Sequence, residues 1–262
     1  MTDPFNFDDE ASRALEALYL SSMSSIRRQK VRTLLDLHPG DTVLDVGTGP
    51  GYLADEMAAQ VGPAGRVDAI DRSPQMLALA QRRCAGRPQV VLHEADVLKM
   101  PFPDAAFDAA ASVQVYEFVA EMPAALRELR RVLRPGGRAV IVDTDWASLV
   151  WEAKDRVRAE RIFSAWDEHL ADPYLPRRLA PLLKECGFDV LAVEPYTVAS
   201  LSPEPVPAGL AKMIADFAPG RRGVTAEDTA AWLADLAALH ACGNYFFSLT
   251  AFLFLARRTA ED

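Results

Sequence analysis

The chain has 262 residues, half of them hydrophobic, and a formal net charge of −9, enough apolar material for one large core, alone or with an insertion. The acidic balance and the lack of a long basic stripe exclude a phosphate-backbone partner, so no nucleic acid is expected. No apolar run reaches the ~20 residues of a membrane span, and the acidic, polar start MTDPFNFDDE resembles neither a signal nor a transit peptide, so the expectation is a cytoplasmic protein with no membrane partner.

Residues 8–36 carry Ala14, Leu15, Leu18, Ile26, Val31, Leu34 and Leu35 at roughly helical spacing, broken by SSMSS at 21–25. They read as one or two helices. His38, Pro39, Gly40 and Asp41 turn the chain into TVLDVGTGPGYLADE at 42–56. Val43, Leu44 and Val46 form a short buried parallel strand. Gly47, Thr48, Gly49, Pro50 and Gly51 then make a turn, and Tyr52, Leu53, Met57 and Val61 follow at helical spacing. Strand, glycine turn and helix make half of a nucleotide-binding βαβ unit, because glycines let backbone approach a ligand and the helix N-terminus offers free N–H groups.

Residues 66–70 read as the second strand, ending at Asp71, 20 residues beyond Gly51. An acid at that strand end can take both ribose hydroxyls. Ser73 and Pro74 start a helix as cap and first residue, and Met76 lies against an adenine or faces the core. Residues 89–94 form the third strand, followed by Asp96 and Val97, an acceptor for an exocyclic amine with an apolar neighbour. Residues 106–113 form the fourth strand. The helix through Leu126, Leu129, Val132 and Leu133 has a basic outer face and is stopped by Pro135, Gly136 and Gly137 before a fifth strand at 138–143.

A dinucleotide fingerprint wants G-x-G-x-x-G, but the glycines fall at 47, 49 and 51, with Tyr52 where the third belongs. Asp45 lies inside the strand, where a carboxylate would repel a pyrophosphate and could hold an ammonium. The pattern D-x-G-x-G-x-G resembles motif I of the class I S-adenosylmethionine (SAM) methyltransferases. With LRELRRVLRPGGRAVIVD at 126–143, it resembles the ubiquinone/menaquinone-biosynthesis type and its small-molecule relatives (methyltransferase domain 11 type) over about residues 25–145. The resemblance implies SAM as cofactor, held by Asp45, Gly47, Gly49, Gly51, Asp71, Asp96 and Val97; Thr48, Arg72, Arg27 and Met76 are expected as further contacts. It also implies that Val113 to Tyr116 border the methyl donor. The implied fold is α/β, doubly wound and Rossmann-like. Its seven-stranded, mostly parallel sheet has helices on both faces, and its last strand runs antiparallel between strands five and six.

The second half reads as Asp143, Thr144, Asp145 and Trp146 after strand five, then a helical stretch at 149–170 holding Trp151, Phe163, Trp166 and His169. A sixth strand spans 189–200, two helices lie near 208–217 and 225–241, and residues 245–257 form the last strand. The expected organisation is a single domain, 1–262, with N-terminal helices at 1–36, a cofactor-binding core at 37–145 and helical insertions at 146–172 and 200–243. The insertions cover the substrate, with Tyr116, Trp146 and Trp166 (and Tyr19 and Met23) lining it, or are ordinary core helices.

Methyl transfer needs alignment and a base only where the nucleophile holds its proton. Base candidates are His169, which titrates near neutral pH, and Asp145 at the ligand-binding edge, with Glu117 and Tyr116 behind them. No His or acid pair has metal spacing, so no metal is expected. Cys84, Cys186 and Cys242 are distant in sequence and odd in number, which fits reduced thiols. The expected activity is methylation of a small, fairly apolar acceptor at O, N or C, such as a secondary metabolite or quinone-like compound, by a monomer or homodimer. The alternatives are a SAM-fold protein repurposed for other catalysis or binding, and a nicotinamide oxidoreductase, which Tyr52 and Asp45 disfavour.

Overall fold

The computed structural model describes residues 19–204 and 206–260; the expected helical residues 8–18 lie outside them. Helix α1 (Ser22–Leu35) buries Ser24, Arg28, Val31 and Leu35 at three- and four-residue steps, while Ile26, expected inside, is exposed. Strand β1 (Thr42–Val46) leads into α2 (Tyr52–Val61), β2 (Arg66–Asp71) and α3 (Pro74–Arg83). Helix α3 starts as its sequence dictates: Ser73 Oγ accepts the Met76 N–H, and Pro74 occupies a position whose N–H needs no partner. Strands β3 (Val90–Glu94) and β4 (Phe107–Val113), helix α4 (Met122–Val132) and strand β5 (Leu133–Trp151) follow. The chain then runs through α5 (Arg156–Trp166), α6 (Pro176–Glu185), β6 (Phe188–Ser200), α7 (Val206–Phe217), α8 (Ala226–Ala241) and β7 (Phe247–Arg258).

The seven strands lie in the order β3-β2-β1-β4-β5-β7-β6. The first five pair in parallel, with Val46 opposite Ile70 and Ser112, and Val113 opposite Val142. The last strands are antiparallel, and β7 sits between β5 and β6. The fold is therefore the doubly wound, Rossmann-like one that the resemblance implied. Alternation along the strands divides the core between the two faces. Leu44, Val46, Ile70, Ala110 and Ile141 pack with Leu126, Leu129, Leu179 and Leu183 of α4 and α6. Val43, Val67, Ala69, Ala111 and Val142 pack with Val31 and Leu35 of α1 and Leu53 and Met57 of α2.

The chain forms two compact units. One comprises Arg27–Thr144, Tyr174–Tyr196 and Ala251–Asp262, and contains both of those clusters. The other comprises Met1–Ile26, Asp145–Pro173 and Thr197–Thr250. Its core is aromatic: Trp146, Trp151, Trp166, Trp232, Tyr245 and Phe247 pack with Ile162 of α5 and Ile214 of α7.

Strand β5 differs from its expected span at both ends. At its start, Phe107 pairs with Leu133 but Ala109 with Arg138, so residues 134–137 bulge out opposite Asp108, which pairs with Arg134. At its end the strand continues through Trp151, where residues 149–151 were expected to be helical. There the Thr250 N–H reaches Ser148 Oγ at 2.9 Å and the Glu152 N–H reaches the Phe246 carbonyl at 3.0 Å. The helix begins only where Asp155 accepts the Arg158 N–H. Among the described residues, no helix is long and apolar enough to cross a membrane.

Gly51 has φ +82, and a Cβ there would stand 2.9 Å from Ala80 Cα and Cβ, whereas Gly136, at φ +78, has open space around it. Gly136→Ala should cost about 1 kcal/mol from backbone strain alone. Gly51→Ala should cost at least ~2 kcal/mol more, because α3 must move. Equal denaturant midpoint shifts in the two variants would contradict this packing.

Candidate active site

The glycine turn is held by the two strands beside it. The Thr48 N–H bonds to the Ile70 carbonyl at 2.9 Å, and the Gly51 N–H closes back on Thr48 at 3.1 Å. Gly47, at φ +68, could carry no side chain, since its Cβ would lie 2.3 Å from Val115 Cγ2. The Asp71 carboxylate takes the Gly49 N–H on one oxygen at 2.8 Å and the Ser73 N–H on the other at 2.9 Å. Asp71 thus joins the end of β2, the turn after β1 and the start of α3.

Asp45 is buried beneath the same turn. Its carboxylate accepts from Thr48 Oγ1 at 2.7 Å and from the backbone of Ala54 in the first turn of α2. Burial pushes its carboxyl up to about 7; the Thr48 hydroxyl opposes this, the negative Asp71 adds to it, and the Ala54 N–H opposes it again. A carboxylate held this close to neutrality gains by meeting a cation.

Asp96 lies two residues beyond β3, exposed, and its Oδ1 turns the loop by accepting the Leu98 N–H at 2.9 Å. Val97 and Met76 are buried, and Arg72 is exposed. The sheet order places the carboxyl ends of β3, β2 and β1 side by side, so Asp96, Asp71 and Asp45 share one edge. Val113 ends β4 beside β1. Tyr116 is fully buried, which drives its hydroxyl pKa up. Arg27 starts this unit and its charge is felt by Asp143.

Sequence reasoning underrated the turn after β4. Glu117 and Asp143 are buried and exchange bonds: the Glu117 N–H donates to Asp143 Oδ1 at 3.3 Å, and the Thr144 N–H to Glu117 Oε2 at 3.0 Å. The acid that closes strand five was the available signal.

The remaining candidates belong to the aromatic unit. Trp166 lies 3.7 Å from the His169 ring and 5.7 Å from Trp146, between centroids, so these three come together. Tyr19 and Met23 are half-buried. Asp145 is not a residue that follows β5: it lies within the strand and accepts the Ala147 N–H at 3.3 Å. His169 Nδ1 bonds the Trp166 carbonyl, and burial lowers the imidazole to about 4 against the small opposite effect of that carbonyl. The ring is therefore neutral at pH 7, with Nε2 as its basic nitrogen, and is a much weaker base than an ordinary histidine.

A glycine turn held by the Asp71 carboxylate and a near-neutral acid in β1 beneath it fit a ligand with an ammonium and a ribose; the Asp45 carboxylate does not suit a pyrophosphate. Comparison with known proteins agrees. Residues 44–141 match the family described as methyltransferase domain. An uncharacterised 37.1 kDa protein of transposon TN4556 from Streptomyces fradiae is 38% identical over 168 residues, covering 62% of this chain and 48% of that protein. The 2-phytyl-1,4-naphtoquinone methyltransferase of Trichormus variabilis is 42% identical over 108 residues, covering 40% of this chain and 47% of that enzyme. The chain thus spans about half the length of these curated relatives. In structure, a Haemonchus contortus phosphoethanolamine N-methyltransferase 2 in complex with S-adenosyl-L-methionine shares the fold with TM-score 0.64 at 15% identity, over 98% of this chain and 58% of that one. The segment 44–141 is thus similar to a methyltransferase domain, and the fold is that of SAM-binding methyltransferases of known structure.

If the aromatic packing sets the protonation of His169, its ring resonances should stay unchanged from pH 8 down to about 5.5 in an NMR titration. A midpoint near its ordinary value of about 6.5 would contradict the burial described here.

Proposed function

We propose that this chain binds SAM and transfers its methyl group to a small, fairly apolar acceptor. The carrying observation is the edge formed by β1 to β3, where a glycine cradle is locked by Asp71 and flanked by Asp45 and Asp96. SAM supplies, when bound, an electrophilic methyl on a sulfonium sulfur. In this reading Asp45 ionises against the amino acid ammonium. Asp71 keeps lone pairs beyond those given to Gly49 and Ser73, and these accept the ribose hydroxyls. Asp96 accepts the adenine amine, with Val97 and Met76 giving apolar surface and Gly47, Thr48, Gly49 and Gly51 the cradle. Arg27, Arg72 and Val113 complete the contacts.

The reading extends to one domain in which the aromatic unit serves the acceptor. Within that unit Trp146 and Trp166, with Tyr19 and Met23, would orient it and exclude water, and alignment of this kind can supply roughly 7–11 kcal/mol. His169 Nε2 or Asp145 would take a proton where the acceptor holds one. With its imidazole lowered to about 4, against ~10 for a phenol, His169 is a poor base for a phenol or a quinol, and alignment carries the reading. Named relatives that methylate quinones support that acceptor class. They also count against the repurposed-fold alternative.

Binding should carry the signature of Asp45. With its free carboxyl near 7 and the ligand's ammonium requiring the ionised form, S-adenosylhomocysteine affinity should fall about tenfold from pH 8 to pH 6. Calorimetry should show proton release at pH 6, and Asp45→Asn should bind more weakly with this dependence removed. A flat wild-type profile would remove Asp45 from the site. Transfer of labelled methyl to a panel of phenols, quinols and amines, with stoichiometric S-adenosylhomocysteine, tests the activity; binding without any transfer would leave a ligand-binding protein.

A further inference from the structure

The turn after β4 is held in an unusual conformation by an unusual device. Gln114 has φ +56, a left-handed conformation that a side chain other than glycine's occupies only under constraint. Four hydrogen bonds tie this turn to residues 142–144 of β5. The Gln114 N–H donates to the Val142 carbonyl at 2.6 Å, and Gln114 Nε2 to Thr144 Oγ1 at 3.1 Å. The other two are the crossed pair, Glu117 N–H to Asp143 Oδ1 and Thr144 N–H to Glu117 Oε2. Between these ties stands Val115, whose side chain fills the space that the missing Cβ of Gly47 leaves. The turn is thereby pressed against the glycine cradle.

Two acids are a costly way to staple a turn inside a protein, since well-packed apolar residues are usually as stable or more so. Asp143 and Glu117 are almost wholly buried. Asp143 faces the Glu117 carboxylate, the Tyr116 hydroxyl and the Arg27 charge. Among the described residues its Oδ2 has no hydrogen-bond partner, nor has the Tyr116 hydroxyl. What an apolar pair could not provide is an acceptor for the Glu117 and Thr144 N–H groups.

We propose that Asp143 and Glu117 are positioning residues, whose crossed hydrogen bonds hold the strained turn at 114–116 against Gly47 and so fix one wall of the cofactor site. The proposal rests on the methyltransferase reading above, which is what makes that wall border the reacting methyl. The two carboxyl groups face each other at the crossing. Burial, and after it the Glu117 charge, raises the Asp143 carboxyl well above the ordinary range, with Arg27 opposing only in part. Its native pKa exceeds its unfolded one, so the stability tied to its proton is complete in acid and is lost as pH rises through the native value. Once that proton leaves, two carboxylates repel at the crossing and the turn loosens. Asparagine at 143 keeps the Oδ1 acceptor and never ionises.

Wild type, Asp143→Asn and Asp143→Ala separate these ideas, with S-adenosylhomocysteine calorimetry from pH 7 to 9.5 and amide exchange of the ligand-free proteins. Asp143→Asn should bind within about twofold of wild type at pH 7 and increasingly better than it toward pH 9.5, because it escapes the charge repulsion. Asp143→Ala should exchange the Glu117 amide at least about tenfold faster and bind about tenfold more weakly at pH 7, the loss of roughly one hydrogen bond. Wild-type exchange and affinity in Asp143→Ala would overturn the positioning role while leaving the methyltransferase reading intact. If wild type itself failed to bind, that reading would fall, and exchange at Glu117 would still judge the staple. Should Asp143→Ala not fold, equal alkaline loss of affinity in wild type and Asp143→Asn would overturn the proposal.

Discussion

Both oxygens of Asp71 are committed to backbone N–H groups, one from Gly49 and one from Ser73, and the geometry of the site descends from that bond pair. The turn after β1 needs left-handed backbone at Gly47, Gly49 and Gly51, which glycine allows but does not impose. A carboxylate imposes it, because its two oxygens accept in two directions at once; an amide side chain has only one acceptor oxygen. With the cradle fixed to β2 and α3, the Asp45 carboxyl is trapped beneath it, and burial there holds it near neutrality. Val115 then has a defined surface on Gly47 to rest against.

The parts of this arrangement that were legible in the sequence are those governed by local backbone chemistry. Three glycines in five residues after an apolar run, a Ser-Pro helix start at 73–74 and an acid closing each of the early strands are local demands, and each appears where the spacing put it. What was hidden depends on partners far along the chain. The tail of β5 is a strand because Ser148 meets Thr250, 102 residues away, while its own tryptophans and aliphatics suit a helix equally well. Asp145 therefore lies inside a strand and not past its end. The exchange of bonds between Glu117 and Asp143 likewise joins a loop to a strand 26 residues on, and no periodicity announces it.

His169 shows the same limit from the other side. A histidine among aromatics invites a catalytic reading, yet the distances to Trp166, Trp146 and Phe217 decide its chemistry. Desolvation removes most of its basicity. The aromatic unit, with Trp151 bonded to the Tyr245 hydroxyl at 3.0 Å, would under the proposed function orient an acceptor and exclude water and not move protons. Positioning, at the cradle and at the strained turn, is the common theme of the residues that this fold brings together.

The central claim is that an acid-flanked cradle selects a nucleoside carrying an amino acid over one carrying a pyrophosphate. Calorimetric titration of the purified chain with S-adenosylhomocysteine and, separately, with NAD at pH 8 tests it most directly. The account predicts stoichiometric binding of S-adenosylhomocysteine, with NAD far weaker or silent, because Asp45 repels the pyrophosphate. NAD binding as tight as or tighter than S-adenosylhomocysteine would contradict it.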